Sequence, residues 1–422
     1  MNEKWFTNTF PVVSRMKLRA SYGQLGNQNI GDYPWASVVN SALNASNVRN
    51  YVFGTPQTAV QGMTVSKLGN SDVKWETSTQ TDVGLDVAIW GDKLSLSVDY
   101  FNKVNSNMLV AVPLPAIGGD ATPPYVNDGS VQNKGFEFDL QYRNDDHKLK
   151  YGFSANLATI QNKVVSIPVP IQGGRIDDGV YATLTTTGHP LGSFYGYKMI
   201  GIFQNANDIF TSAYQGPGVR PGDVKYEDIN GDGVIDQNDR SFLGSAIPKF
   251  TYGLTATVNY LNFDLFVLVQ GSYGNKIYSQ VNQDIEGFYR PFNVTQRVYD
   301  TRWHGEGTSN TMPLVSFRDQ TNNIKEPSSR FLEDASYARL KNVQIGYTIP
   351  KKIAGKLHIK GLRVYLTGTN LVTITKYKGL DPEMHISNNV NVEKYPSDVA
   401  AGIDWGTYPA AKSYIIGANL NF

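Results

Sequence analysis

Between Asp228 and Asp239 the chain reads "DINGDGVIDQND", with oxygen-bearing side chains at alternating positions. Counted from Asp228, Asn230 and Asp232 fall at the third and fifth places and Gly233 at the sixth. That is the spacing of a twelve-residue calcium loop. Hard oxygen ligands can wrap one cation only if the backbone turns sharply, which is the task of the glycine. Val234 would add its backbone carbonyl and Asp236 a further carboxylate, while Ile235 would pin the loop through a small β contact. Asp239 closes the set, one methylene shorter than the usual bidentate Glu. With no flanking helices evident, the expectation is an isolated loop that takes Ca²⁺ weakly, at about 10⁻⁴–10⁻³ M. Its role would be structural, holding the neighbouring "GHPLGSFYGYK" in place. The competing reading is an Asx-rich turn that solvates itself.

No catalytic constellation accompanies this loop. The five histidines, His147, His189, His304, His358 and His385, are scattered, and none forms an H-E-x-x-H pair. Neither a G-x-S-x-G elbow nor a phosphate-cradling loop occurs. Zero cysteines exclude thiolate metal sites and a disulfide framework. Lys+Arg 38 against Asp+Glu 37 leaves a net charge of +1, which gives no support to nucleic acid as a partner. Acidic residues on strand faces resemble paired glycosidase acids, but their regular spacing reads better as the lining of a lumen. The chain is therefore expected not to be an enzyme. Tyr195, Tyr197, Trp303 and Trp405 could stack on sugars, pack loops or meet a partner, and no substrate residue is assigned.

The elements that would carry these residues are strands. "TSTQTDVGLDVAIW" puts Thr79, Thr81, Val83, Leu85, Val87 and Ile89 on one face and Gln80, Asp82, Gly84 and Asp86 on the other. The same alternation runs through "SRMKLRASYGQ", "KLSLSVDYFNK", "NKGFEFDLQYRN", "KLKYGFSANLATIQN", "KFTYGLTATVNY" and "NFDLFVLVQGSYG". It continues in "ASYARLKNVQIGYTIP", "GLRVYLTGTNLVTI" and the terminal "KSYIIGANLNF". These ten segments, roughly 10–14 residues each, match the span of a tilted strand crossing a bilayer. No apolar run approaches the ~18 residues of a spanning helix, and "MNEKWFTNTF" has no apolar signal-peptide core. Trp90, Tyr100, Phe101, Tyr142, Tyr260 and Tyr347 are expected near strand ends, where interface girdles lie.

Link lengths alternate. The links at 24–76, 105–129, 162–246, 276–331 and 374–409 are long, and those at 91–92, 144–147, 261–262 and 350–359 are short. Such parity has no purpose in a soluble sandwich. Outer-membrane barrels show it, with short turns on the periplasmic side and long loops outside. The fold class expected is all-β, an antiparallel transmembrane barrel portion whose last strand closes at Phe422.

Several stretches resemble the carboxy-terminal part of the SusC/RagA family of TonB-dependent outer-membrane receptors of Bacteroidetes. They include "LRASYGQLGNQNIGDYPW", "WETSTQTDVGLDVAIW", "NKGFEFDLQY", "GHPLGSFYGYKMIGIFQN" and "GDVKYEDINGDGVIDQNDR". "FLEDASYARLKNVQIGYTIP", "LTGTNLVTITKYKGLDPE" and "IGANLNF" complete the set in the family's order. The resemblance implies import of oligosaccharides or peptides across the outer membrane, driven by the TonB complex, with a SusD-like surface lipoprotein as lid. It also implies that 1–422 is the carboxy-terminal portion of the barrel, with plug domain and signal peptide absent. About ten strands from such a barrel are expected to form an open curved sheet with two free edges. The rival classes are an outer-membrane barrel enzyme and a secreted β-rich adhesin or carbohydrate-binding module.

Overall fold

The computed structural model describes residues 4–40, 51–60, 62–112, 114, 121–177, 180–288, 292–316, 326–356, 358–384 and 397–421. Its frame is one antiparallel wall. The strands are β1 (Val13–Asn27), β2 (Glu76–Ile89), β3 (Leu94–Ala111), β4 (Tyr125–Asn144) and β5 (Leu149–Thr159). They continue as β6 (Phe250–Tyr260), β7 (Phe263–Tyr273), β8 (Tyr337–Thr348), β9 (Gly361–Thr375) and β10 (Ser413–Asn421). Each pairs with the next in sequence order, and a short strand, Gln161–Ser166, adds to β4. All ten expected strands are present.

The alternation keeps register from strand to strand. Leu18 faces Leu85, Leu85 faces Val98, Val98 faces Phe138 and Phe138 faces Leu157. Farther along, Leu254 faces Val269, Leu265 faces Ile345, Ile345 faces Leu366 and Leu366 faces Ile416. One apolar band thus crosses the whole wall. It has no protein cover: Leu18 is 75% exposed and Ile416 81%. A soluble sheet would bury this face, whereas hydrocarbon covers it in a membrane wall. On the opposite face Arg19 of β1 forks onto Asp86 of β2 at 2.9 and 2.8 Å and reaches Asp99 of β3 at 2.8 Å. Arg363 of β9 likewise donates to Asp264 of β7 at 2.9 Å and to Gln344 of β8 at 3.1 Å. Charged side chains there satisfy one another across strands, as a wet lumen allows.

All short links lie at one rim: 90–93, 145–148, 261–262 and 349–360. The two-residue turn at 261–262 demands a left-handed residue, and Leu261 takes φ 55°. The opposite rim carries the long links, and the described residues of three of them fold together. A four-stranded sheet (Ile171–Asp177, Val180–Thr185, Ser193–Tyr197, Arg240–Gly244) and a three-stranded one (Leu332–Asp334, Lys276–Ser279, Ile403–Asp404) form a cap. Its core gathers Ile176, Ala182, Phe194, Tyr278, Val298, Phe331 and Ile403 from three separate links. The molecule's deepest apolar burial is therefore in the cap, not in the wall.

Three expectations need correction. β3 and β4 run 18 and 20 residues, longer than the repeat implied, so the link between them shrinks to 112–124. Tyr100 and Phe101 consequently sit mid-strand, while Trp90, Tyr142, Tyr260 and Tyr347 keep their places by the short-turn rim. The long connection at 162–246 is no open loop but carries seven short strand segments, the helix Ala206–Phe210 and a 3₁₀ turn. Among the described residues no ladder joins β1 to β10, so the wall is open at both ends, as expected. No helix among them is long and apolar enough to cross a membrane. The expectation for Phe422 lies outside the described residues.

The two-faced wall makes a directional prediction. Leu254→Arg, on the apolar band in mid-strand, should cost about 2–4 kcal/mol in bilayers. Thr255→Arg on the other face should cost well under half of that. Denaturant unfolding from lipid vesicles reads both, and equal costs would mean that the band does not face lipid.

Candidate functional site

The Asp228–Asp239 loop is a chain of side chain to backbone bonds. Asp228 accepts from the Gly231 and Gly233 amides at 2.7 and 2.9 Å. Asn230 accepts from Asp232 N at 3.0 Å, and Asp232 accepts from Val234 N at 2.9 Å. Gly231 and Gly233 supply the left-handed turns, at φ 73° and 83°. The expected β contact is present: Val234 bridges Tyr214, and Ile235 N donates to Tyr214 O at 2.9 Å. Asp236 caps a single 3₁₀ turn, Gln237–Asp239, with Asp239 answering from the other side. Asp239 is fully buried, accepting from Ile229 N and Asp236 N at 2.9 and 2.8 Å. Burial alone would push its carboxyl up, but the amides of Asp236, Ile229 and Asn230 outweigh that and hold it below the usual range. Among the described residues no three His, Asp or Glu side chains converge as a metal cage.

The loop leads straight into the cap. Arg240, next after Asp239, pairs with Tyr197 in the sheet and lays its guanidinium 5.1 Å from that ring's centre. His189 stacks on Phe242 at 3.6 Å, and Tyr195 packs on the same ring at 5.2 Å. Tyr197 is buried against Tyr226. Trp303 packs on that cluster and donates to Gln204 at 3.3 Å, while Trp405 packs on the main cap core. All four aromatics singled out in the sequence are thus packing residues of the cap.

Two charged groupings were not foreseen. In the first, Arg339 of β8 is 3% exposed and donates to Asp381, to Glu383 at 2.6 Å and to Thr373 of β9 at 2.9 Å. Lys341 and Gln270 of β7 also reach Glu383, at 3.0 and 3.1 Å, and Ala410 N donates to Asp381 at 2.9 Å. Three wall strands and the 376–412 link meet at this node. Burial pushes Asp381 up, yet Ala410 N–H, Arg339 and Glu383 N–H together hold its carboxyl below the usual range. The second is a cap cleft of about 430 Å³, where Arg297 forks onto Glu286 and Asn282 donates to Glu333 at 2.7 Å. Both signs of charge line it, together with Lys376 and Lys378. Of the histidines, His385 lies outside the described residues. The other four are not gathered into one cluster.

Comparison with known proteins decides the family. The family model "TonB dependent receptor-like, beta-barrel" matches residues 6–371. The chain belongs to that family. TonB-dependent receptor P3 of Formosa agariphila is 31% identical over 429 residues, covering 100% of this chain and 41% of the relative. TonB-dependent receptor SusC of Bacteroides thetaiotaomicron is 26% identical over 437 residues, again covering all of this chain and 39% of that protein. In fold, the RagAB peptide transporter superposes with a TM-score of 0.75 at 23% identity, over 99% of this chain and 42% of that one. The chain thus spans about two fifths of these relatives' length. A TonB-dependent receptor barrel of this kind resides in the cell outer membrane, and the wall's exposed band is the surface it presents there.

In the receptor chain, the buried node ties the lumen face of the wall to the 376–412 link. Arg339→Met leaves Asp381 without its cation and Glu383 with Lys341 alone, and should cost about 3–5 kcal/mol. Its first readout is protease cleavage within the 376–412 link at neutral pH. In the unaltered chain a depressed Asp381 contributes stability above its unfolded value, and that contribution is lost as pH falls through the lowered folded value. The link should therefore stay protected at neutral pH and open only below about pH 4. Opening near neutral pH would mean that the node does not hold the link.

Proposed function

We propose that this chain is part of an outer-membrane receptor that imports oligosaccharides or peptides, energised by the TonB complex through a plug domain, with a SusD-like lipoprotein on its extracellular face. One observation carries the reading: a wall that is apolar on its lipid face and polar on its lumen face is crowned, at the long-link rim only, by a cap with its own core. Material entering from outside would meet the cap first and the polar lumen next. The SusC and RagAB likenesses support the same reading. An adhesin or carbohydrate-binding module would have to leave the band uncovered in water, and among the described residues no His is gathered with a carboxylate pair as a barrel enzyme would need. The wall's surroundings would be outer-membrane lipid.

Deleting the gene should slow growth on a polymeric glycan or a peptide mixture as sole carbon source and leave growth on the matching monomers unchanged. Affinity purification of the tagged receptor from the membrane should bring down a surface lipoprotein. Unchanged growth on every polymer, with no lipoprotein recovered, would sink the import reading.

Calcium is the second part of the proposal. Asn230, Asp232 and Asp236 are exposed along one twelve-residue loop, with Asp228 half-buried at its start and Asp239 buried at its end. A carboxylate oxygen that accepts one amide still has a second lone pair for a cation. Binding would be weak and structural, stiffening the segment that enters the Arg240–Gly244 strand. Millimolar calcium should lower protease cleavage within 205–245, and Asp228→Ala should abolish that protection. Equal cleavage in calcium and in chelator would leave the motif a self-solvating turn.

A further inference from the structure

The short-turn rim is not uniform. Two of its links set carboxylates beside cations: Lys93 is paired with Asp146, and Arg143, at the end of β4, with Asp145. The 349–360 link differs. It holds the short helix Lys351–Lys356, anchored by the buried Ala354, and it exposes Lys351, Lys352, Lys356, His358 and Lys360. Among the described residues none of these forms an ion pair. No Asp or Glu occurs anywhere from 335 to 380, and Asp264, on the adjoining strand β7, is occupied by Arg363. A protein of net charge +1 thus concentrates four lysines in ten residues, with no counter-ion for them among the described residues. Like charges this close repel unless an anion is shared among them.

The position of the cluster says which anion. The link leaves the wall directly after Tyr347, whose ring lies 4.7 Å from Phe263, beside the exposed Tyr260 and Leu261. Amphipathic rings of this kind sit at the headgroup level of a bilayer. Lys360 N donates to Asn421 O at 2.9 Å, which fixes the end of the link against β10 and against the edge of the apolar band. Ile353, between the lysines, is 51% exposed. Cations just beyond an aromatic belt, with an apolar side chain among them, match a phosphate headgroup attached to an acyl chain. An acidic protein surface would complement the lysines but would have no use for the isoleucine or the belt.

We propose that the 349–360 link is a binding site for anionic phospholipid in the leaflet on the short-turn side. The lysines hold headgroup phosphates as point charges, and Ile353 enters the acyl boundary. The site rests on the wall lying in a membrane and is independent of what the receptor imports.

Native mass spectrometry of the 422-residue chain in detergent, titrated with phosphatidylglycerol or phosphatidylcholine, tests this. The unaltered chain should retain phosphatidylglycerol preferentially. Each juxtamembrane lysine contributes about 1 kcal/mol, or about fivefold, so Lys351→Gln/Lys352→Gln should weaken retention about 25-fold. Lys376→Gln/Lys378→Gln on the opposite rim removes the same charge and should change retention less than about twofold. The charge-keeping Lys351→Arg/Lys352→Arg should retain the lipid, which separates loss of the site from loss of the fold. Ile353→Ser should weaken phosphatidylglycerol and leave inorganic phosphate unaffected. Displacement of the lipid by inorganic phosphate at equal concentration, or equally tight retention of polyglutamate, would overturn the assignment in favour of a simple anion site or an acidic protein partner. Equal retention by the two double Gln variants would overturn it as well.

Discussion

A backbone amide or carbonyl facing hydrocarbon has no water to turn to, so every one must find its partner inside the wall. Most of this molecule follows from that demand. Strands must run side by side without interruption, which is why β2 to β9 each have a neighbour on both flanks. Neighbours in sequence must become neighbours in space, so the links at one rim shrink to a few residues. Period-two alternation then separates the side chains into a lipid face and a lumen face. Because hydrocarbon itself covers the first of these, the wall needs no apolar core of its own.

What the wall does not bury, the cap does. The long links cannot rest as open loops on a rim exposed to water, since their backbone groups and apolar side chains need cover. They meet the need collectively: Ile176 comes from one link, Tyr278 and Phe331 from a second and Ile403 from a third. The Arg339 node joins this layer to the wall. It is an ionic joint made of residues from β7, β8, β9 and the 376–412 link, and it places fixed charge where strand gives way to cap.

The strands were legible because alternation is a local property, visible without knowing what lies opposite. The reading of β3 stopped short where locality failed. Between Asn105 and Met108 the register slips and Asn107 takes φ 55°, a bulge that interrupts the period. The added length of β4, "YVNDGSVQ", has apolar side chains only at Tyr125, Val126 and Val131, too sparse to show a period. The Asx loop was legible for the same local reason, and so was its contact through Ile235. Its partner Tyr214 was not, because nothing in either segment encodes the pairing. Arg339 stood in plain view on a polar strand face, but Asp381 and Glu383 lie in another link, beyond β9. Such pairing depends on the closed path of the chain. The four aromatics of the long links illustrate the same limit, since only the folded cap reveals which side chains they pack against.

The segregation of burial between cap and wall has a calorimetric side. Heat capacity on unfolding rises with apolar surface newly exposed to water. The wall's band exchanges protein-bound lipid for other lipid if its strands separate within the bilayer, so it adds little to that term. The cap exposes Phe194, Tyr278, Phe331 and their neighbours to water when it opens. The temperature at which the receptor is most stable is accordingly set by its outermost layer, while the part that spans the membrane responds far more evenly to heat and cold.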